Sequence, residues 1–139
     1  MLIDKMHLKF FRNHIDFDIK FSPGINVIWG KNGVGKTSIL EAVYILSIGK
    51  SFKTNKSKEI INNKSKSLSV DGFFNDNEND LRISFQKFLG KNKIFKINGV
   101  KEVSKNIIGR FPVVLLSPEE EKTTKGQPSD RRKFFDKLF

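Results

Sequence analysis

Hydrophobic and polar residues alternate along the first part of the chain. Ile15, Phe17 and Ile19 recur at every second position, and a similar alternation precedes them. A period of two is typical of a β-strand with one buried face. The alternation is broken at Phe11-Arg12-Asn13-His14, so residues 2–21 are predicted to form two antiparallel strands joined by a tight turn.

The pattern changes in the next segment. Residues 25–29 form a short apolar run, which predicts a buried strand. Ile39, Val43 and Leu46 then recur at intervals of three and four, which is typical of a helix with one buried stripe. Gly49 is a candidate C-cap, so the helix is predicted to end near it.

Strand-like segments return after a lysine-rich stretch. Residues 68–74, 81–85 and 93–97 are predicted strands, and Asn98-Gly99 is a strong hairpin signal. They predict an antiparallel β-layer beside the helix.

The last third of the sequence gives weaker signals. A short helix closed by Gly109 is predicted over 103–108, and a buried strand over 111–116. Residues 117–119 predict a helical turn, and 129–139 a final helix. Because that helix carries apolar residues at its uncapped end, more sequence is expected to follow, or a partner is expected to cover it.

Between the predicted strand at 25–29 and the helix lies a glycine-rich loop that matches the phosphate-loop pattern, glycine, four residues, then Gly-Lys-Thr. Glycines let the backbone wrap closely around phosphate, and amides at the helix start add donors. Lys36 is expected to reach β- and γ-phosphate oxygens, and Thr37 to offer its hydroxyl to Mg²⁺. The candidate nucleotide-binding residues are Gly30, Lys31, Asn32, Gly33, Val34, Gly35, Lys36, Thr37 and Ser38.

Composition narrows the class of protein. The 139 residues suit one domain or part of one, and the absence of cysteine excludes disulfides and thiolate metal sites. No apolar run approaches a membrane span or a signal peptide, so a cytoplasmic protein without a membrane partner is expected. The net charge of +11 favours an anionic partner, although scattered lysines are equally typical of a solvated surface.

Other phosphate-loop classes fit less well. No Asp after residue 37 has glycine three positions on, and Asn92-Lys93 is not followed by the Asp that guanine-nucleotide switches need. A small-molecule kinase would have a short parallel α/β arrangement. The predicted antiparallel strands on both sides of the loop instead suit an ABC-type ATPase.

Several blocks resemble the RecF family, bacterial recombination mediators related to SMC-type ATPases. The loop itself is generic, whereas the other blocks in this order are more selective. The matching blocks are Phe11-Arg12-Asn13, the loop with Leu40-Glu41-Ala42, Gly49-Lys50-Ser51-Phe52-Lys53-Thr54, Ser117-Pro118-Glu119 and Gly126-Gln127-Pro128-Ser129-Asp130-Arg131-Arg132-Lys133-Phe134-Phe135-Asp136.

The resemblance implies an α/β fold: a P-loop ABC/SMC-type ATPase lobe with an antiparallel β-layer beside the nucleotide-binding core, incomplete at the C-terminus. Residues 1–139 would be the N-terminal ATP-binding lobe, without the second lobe. It further implies ATP and Mg²⁺ as cofactors, an ATP-dependent homodimer, binding to single-stranded or gapped DNA, and other recombination mediators as partners. The protein would take part in DNA replication and repair, in recombinase loading and in the SOS response.

The sequence departs from that pattern in two ways. Val34 replaces a small polar residue in the loop, which should matter little because the backbone amide remains. No Walker B carboxylate pair and no Ser-x-Gly-Gln-type signature is found. No catalytic residue is therefore assigned, and the 139 residues alone are expected to hydrolyse ATP negligibly.

Arg12 is expected near the nucleotide, where the resemblance places it, or is an ordinary turn arginine. The remaining candidates stay open between a binding role and a plain structural one: they are Glu119, Lys50, Lys53, Lys56, Lys58, Arg131 and Arg132. His7 and His14 have no second ligand at metal spacing and are interpreted as structural. Alternatives to a RecF-like ATPase are another SMC-like ATPase, such as an overcoming-lysogenization-type nuclease, or a basic DNA-binding module with only structural nucleotide.

Overall fold

The computed structural model describes residues 1–75 and 79–117, together with positions 128, 129 and 132. Its strands are β1 (Leu2–Phe11), β2 (His14–Lys20), β3 (Ser67–Asn75), β4 (Asp80–Phe88), β5 (Ile94–Ile97) and β6 (Val100–Glu102). Its helices are α1 (Lys36–Ile48), α2 (Ser57–Ile60) and α3 (Ser104–Ile107).

The strands form one sheet in the order β2-β1-β3-β4-β5-β6, and every neighbouring pair is antiparallel. Strands β3 to β6 follow one another in sequence as a meander. Between β2 and β3 the chain leaves the sheet and builds the glycine-rich loop, α1 and α2. The predicted hairpin and the predicted antiparallel layer are both confirmed.

Helix α1 packs on one face of this sheet. Gly72 on β3 permits the close approach, because a Cβ atom there would lie only 2.6 Å from Leu46 Cδ1 of the helix. Burying each aliphatic side chain at such a contact contributes about 1.5–3 kcal/mol. The fully buried members of this core include Met6, Leu8, Val70, Ile83, Ile45, Leu46 and Phe11.

The turns follow the chemistry of their residues. Gly49 ends α1 in the left-handed conformation at φ 79°, and its N–H bonds to the Ile45 carbonyl at 2.7 Å, which confirms the predicted C-cap. Asn98 and Gly99 have φ of 48° and 85°, the pair of positive values that a tight hairpin turn between β5 and β6 requires.

Two predicted strands are wrong. Segments 25–29 and 111–116 form no strand, and the structure leaves Ile25, Trp29 and Leu116 more than four-fifths exposed. A strand exists only where a neighbour pairs with its backbone, and within the described residues the sheet ends at β2 and β6. Only Phe111 of the second segment is buried; it contacts Phe74 with ring centroids 4.4 Å apart.

The helical turn predicted at 117–119 lies outside the described residues apart from Ser117, and so do Glu119, Arg131 and most of the predicted helix over 129–139. Within the described part of the chain, no helix has both the length and the apolar character needed to cross a membrane.

Candidate nucleotide-binding site

A pocket of about 600 Å³ opens between the glycine-rich loop, the start of α1 and the turn joining β1 to β2. This volume is in the range of small-molecule sites. The described lining contains three basic side chains and no acidic one. It consists of Arg12, Asn13, Asn32, Gly33, Gly35, Lys36, Thr37, Ser38, Lys53, Ile61, Asn62 and Asn63.

Lys36 is the first residue of α1. Its ammonium group donates to the Gly30 carbonyl at 2.6 Å and to the Lys31 carbonyl at 2.7 Å. These bonds fold the side chain back over the loop and hold a positive charge at the pocket. A phosphate oxygen could replace either carbonyl as an acceptor.

The start of α1 supplies backbone donors. Gly35 is the N-cap in the left-handed conformation, with φ 98°, and no side chain caps the helix. The amides of Lys36, Thr37 and Ser38 therefore have no partner within the helix, and the first turn holds no acidic residue. Unpaired amides and the positive end of the helix dipole favour an anion at this position.

Arg12 reaches the pocket from the β1–β2 turn and is already engaged. Its Nε and Nη2 donate to the two carboxylate oxygens of Glu41 at 2.8 and 2.7 Å, and its Nη1 donates to the Glu59 carbonyl at 2.7 Å. Glu41 is fully buried on α1 and the Arg12 side chain is one-fifth exposed. Arg12 is therefore not an ordinary exposed turn arginine; the predicted contact with phosphate remains a prediction.

The same carboxylate organises the segment after α1. The Ser51 hydroxyl donates to Glu41 Oε1, and Ser51 Oγ accepts the amides of Lys53 and Thr54 at 2.9 and 3.1 Å. This turn brings Lys53 to the wall of the pocket. Glu41 thus connects α1, the β1–β2 turn and the loop that carries Lys53.

Residues 61–63 form another part of the pocket lining, and hydrogen bonds attach this segment to the end of β1. Asn62 donates its side-chain amide to the Arg12 carbonyl at 2.6 Å and its backbone N–H to the Phe10 carbonyl at 2.8 Å. Phe10 and Arg12 have φ of 51° and 54°, which is strained for residues with side chains. The hydrogen bonds around Phe11 hold the end of β1 in this conformation, so strain is concentrated beside the pocket.

The pKa values of two charged side chains, one near each end of α1, are lowered by their surroundings. The pKa of Glu59 is lowered, first by a hydrogen bond from Thr54 and then by Lys56 and Arg12, against some desolvation. Beyond the other end of α1, the pKa of Lys93 is lowered by desolvation and then by repulsion from nearby lysines. The Lys93 ammonium donates to the Gly49 carbonyl at 2.7 Å, where a cation complements the helix dipole.

The structure gathers most of the predicted site. Arg12, Asn32, Gly33, Gly35, Lys36, Thr37 and Ser38 line the pocket, and the Gly30 and Lys31 carbonyls accept from Lys36. Val34 is half-exposed and is not part of the lining. Of the basic residues that follow α1, Lys53 reaches the pocket, whereas Lys56 pairs with Glu59 at 3.7 Å on the surface.

Sequence reasoning missed part of this pocket. Asn13, Asn62 and Asn63 line it, and none of them is a predicted site residue; His14, which the sequence predicts to be structural, bonds to the loop. Asn13 belongs to a block that carried the family resemblance, which was its only signal. Asn62 and Asn63 stand in a polar stretch without periodicity, so nothing in the sequence distinguishes them.

The donors present fit ATP better than they fit a complete magnesium site. Thr37 offers a hydroxyl to the pocket, but among residues 1–75 and 79–117 no group of three or more His, Cys, Asp or Glu side chains could hold a metal ion. Mg²⁺ prefers carboxylates together with substrate phosphates. The role of Thr37 as a ligand of Mg²⁺ therefore remains a prediction.

The fold is that of the N-terminal part of an SMC-type ATPase head. Residues 2–120 match the model of the RecF/RecN/SMC N terminal domain. The chain belongs to this family.

Named relatives agree with that assignment. The chain is 36% identical over its whole length to a DNA replication and repair protein RecF of Limosilactobacillus reuteri, and 39% identical over 98% of its length to that of Acetivibrio thermocellus. It spans 37% of the length of each. A solved structure of the recombination mediator protein RecF with ATP matches with a TM-score of 0.84 and 33% identity, over 97% of this chain and 38% of that one.

A wider likeness concerns the fold alone. A solved structure from a study of the ATP-driven dimerisation and DNA-stimulated activation of SMC ATPases matches with a TM-score of 0.80 at 24% identity. It covers 99% of both chains, so the arrangement of sheet, loop and helix is shared well outside the RecF proteins.

Proposed function

We propose that the chain is the ATP-binding N-terminal lobe of a RecF-like DNA replication and repair ATPase. The triphosphate would lie on the amides of the glycine-rich loop and of the first turn of α1. Lys36 would contact the β- and γ-phosphates, Thr37 would be a ligand of Mg²⁺, and Arg12 would approach the phosphates from the β1–β2 turn.

The observation that carries this proposal is the charge and geometry of the pocket. Three basic side chains and a row of unpaired amides meet in one cavity whose described lining holds no carboxylate. Such a cavity attracts a polyanion and offers it directed hydrogen bonds. Bound ATP would supply a transferable phosphoryl group, but no hydrolytic step is assigned, because no side chain in the described lining can act as a base for water.

The experiment measures ATP affinity of the 139-residue chain by calorimetry. Lys36→Ala is expected to weaken ATP binding at least tenfold, because it removes charge-assisted hydrogen bonds, which are worth about 1.5–3 kcal/mol. Lys101→Ala is the matched control. Lys101 is exposed on β6, and its removal changes the net charge by the same amount away from the pocket.

Equal affinities for Lys36→Ala and Lys101→Ala would contradict the proposed site. Thermal unfolding of both variants should stay close to that of the unsubstituted chain, because Lys101 is exposed and the partly buried Lys36 side chain bonds only to two carbonyls of the loop. An unfolded Lys36→Ala variant would be replaced by Lys36→Met, which keeps the length of the side chain.

We further propose that the whole protein works in the cytoplasm on single-stranded or gapped DNA, as an ATP-dependent homodimer with other recombination mediators, and takes part in recombinase loading and the SOS response. The net charge of +11 and the named RecF relatives support this proposal. The basic side chains would bind phosphate groups in both ligands, ATP and DNA.

A basic DNA-binding module with only structural nucleotide is the second candidate, since the same charge favours it. Titrating the full-length protein with gapped duplex DNA at about 50 and 200 mM salt, with and without ATP, separates the two candidates. Both predict a steep loss of affinity with salt. Only the ATPase proposal predicts that ATP strengthens DNA binding, and an unchanged affinity with ATP would favour the module.

A further inference from the structure

Two side chains of the β1–β2 turn bond to alternate carbonyls of the glycine-rich loop. Asn13 Nδ2 donates to the Gly33 carbonyl at 3.3 Å. His14 Nε2 lies 3.1 Å from the Gly35 carbonyl. A carbonyl only accepts hydrogen bonds, so the imidazole is the donor and its proton is on Nε2.

The close approach of the turn to the loop depends on both sides. The His14 ring rests on Phe17 of β2, with ring centroids 4.8 Å apart, which leaves Nε2 directed at the loop. On the loop side Gly35 has no Cβ, and one built there would collide with the His14 ring and lie 2.7 Å from Asn13 Oδ1. Any larger residue at position 35 would push the turn away.

The direction of these carbonyls decides the direction of the next amides. The peptide bonds are trans, so each C=O and the N–H that follows it point in opposite directions. With the Gly33 and Gly35 carbonyls held toward the turn, the N–H groups of Val34 and Lys36 point away from it. Alternation of this kind gathers amides into an anion-binding concavity.

We propose that Asn13 and His14 are positioning residues that hold the phosphate loop in its anion-binding conformation from outside the loop. This inference rests on the proposed function, because it gives these two side chains a role in the same ATP site. They do not contact the reacting atoms; they restrict two peptide planes that otherwise could rotate. Their effect is therefore confined to ligands that carry phosphate.

The test compares His14→Phe, which keeps the ring on Phe17 but removes the donor, with His14→Gln, whose amide can restore it. His14→Phe is expected to weaken ATP and inorganic tripolyphosphate binding about threefold to tenfold, the loss of one hydrogen bond, and adenosine binding not at all. His14→Gln should recover most of that loss. Asn13→Leu should also weaken ATP and tripolyphosphate binding. The double variant Asn13→Leu, His14→Phe should lose more affinity than either single variant.

His7→Phe is the matched control, because the other histidine of the chain bonds to Asp16 on the opposite face of the sheet. Thermal unfolding is followed for every variant; if His14→Phe fails to fold, Asn13→Leu with tripolyphosphate decides. The inference is overturned if His14→Phe binds tripolyphosphate as His7→Phe does, or if adenosine and tripolyphosphate weaken equally. Lys36→Ala tests the proposed function separately, so a loss of affinity there with no effect at position 14 removes only the positioning role.

Discussion

Glu41→Ala is expected to lower the free energy of unfolding by about 3–5 kcal/mol, because it leaves the guanidinium of Arg12 without its counter-charge in a largely buried position. Glu41 has no exposed surface and accepts hydrogen bonds from Arg12 and from Ser51. A domain of this size has about 5–15 kcal/mol of stability in total. Chemical denaturation followed by circular dichroism measures the loss directly.

A control and a double variant separate charge from volume. Glu59→Ala removes a half-exposed carboxylate close to the same arginine and should cost far less than Glu41→Ala, because solvent screens its charge. The double variant Arg12→Leu, Glu41→Met should lose clearly less free energy of unfolding than Glu41→Ala, since a buried ion pair can be exchanged for apolar groups. A loss below about 1 kcal/mol for Glu41→Ala would show that the pair is not an essential buried contact.

Phe95→Ala is expected to lower the free energy of unfolding by a similar amount, about 3–5 kcal/mol, through the cavity that it leaves. Phe95 is 1% exposed and packs on Phe85 with ring centroids 5.2 Å apart. Its ring also lies under the end of α1, where a Cβ on Gly49 would come within 3.1 Å of it. Removing the ring therefore empties the junction between the helix and strand β5.

Phe88→Ala is the comparison for Phe95→Ala. Phe88 is 38% exposed at the end of β4, so its removal should cost less than about 1.5 kcal/mol in the same denaturation assay. ATP affinity of the folded fraction should be unchanged in Phe95→Ala, since α1 carries the pocket at its opposite end. Similar losses at positions 88 and 95 would mean that the described core is wrong around β5.

Local signals account for the parts of the fold that the sequence predicted well. The glycine-rich loop, the stripe through Ile39 and Leu46, and the Asn98-Gly99 turn each depend on residues close together in the chain. The prediction of strands at 25–29 and 111–116 is wrong because composition indicates that a segment tends to be buried, but not which neighbour pairs with it. Their exposed side chains show that difference directly.

Some residues of the candidate site could be predicted from local sequence, and others could not. Lys36 and Thr37 are named by their spacing from the glycines, so the sequence was sufficient. The partnership of Arg12 with Glu41 joins residues 29 positions apart, and that of His14 with Gly35 joins residues 21 apart. Such contacts depend on how the hairpin docks against α1, which no local pattern encodes.

The strand order also has a kinetic consequence. Strands β3 to β6 pair with their neighbours in the chain, whereas β1 pairs with β3, joining Lys9 to Ser69 across a separation of about sixty residues. Non-local pairings of this kind form slowly. That pairing brings the end of β1 beside Ile61 and Asn62, which line the pocket. We therefore expect this wall of the pocket to form late in folding, so that ATP would bind the finished fold and would not act as a template for it.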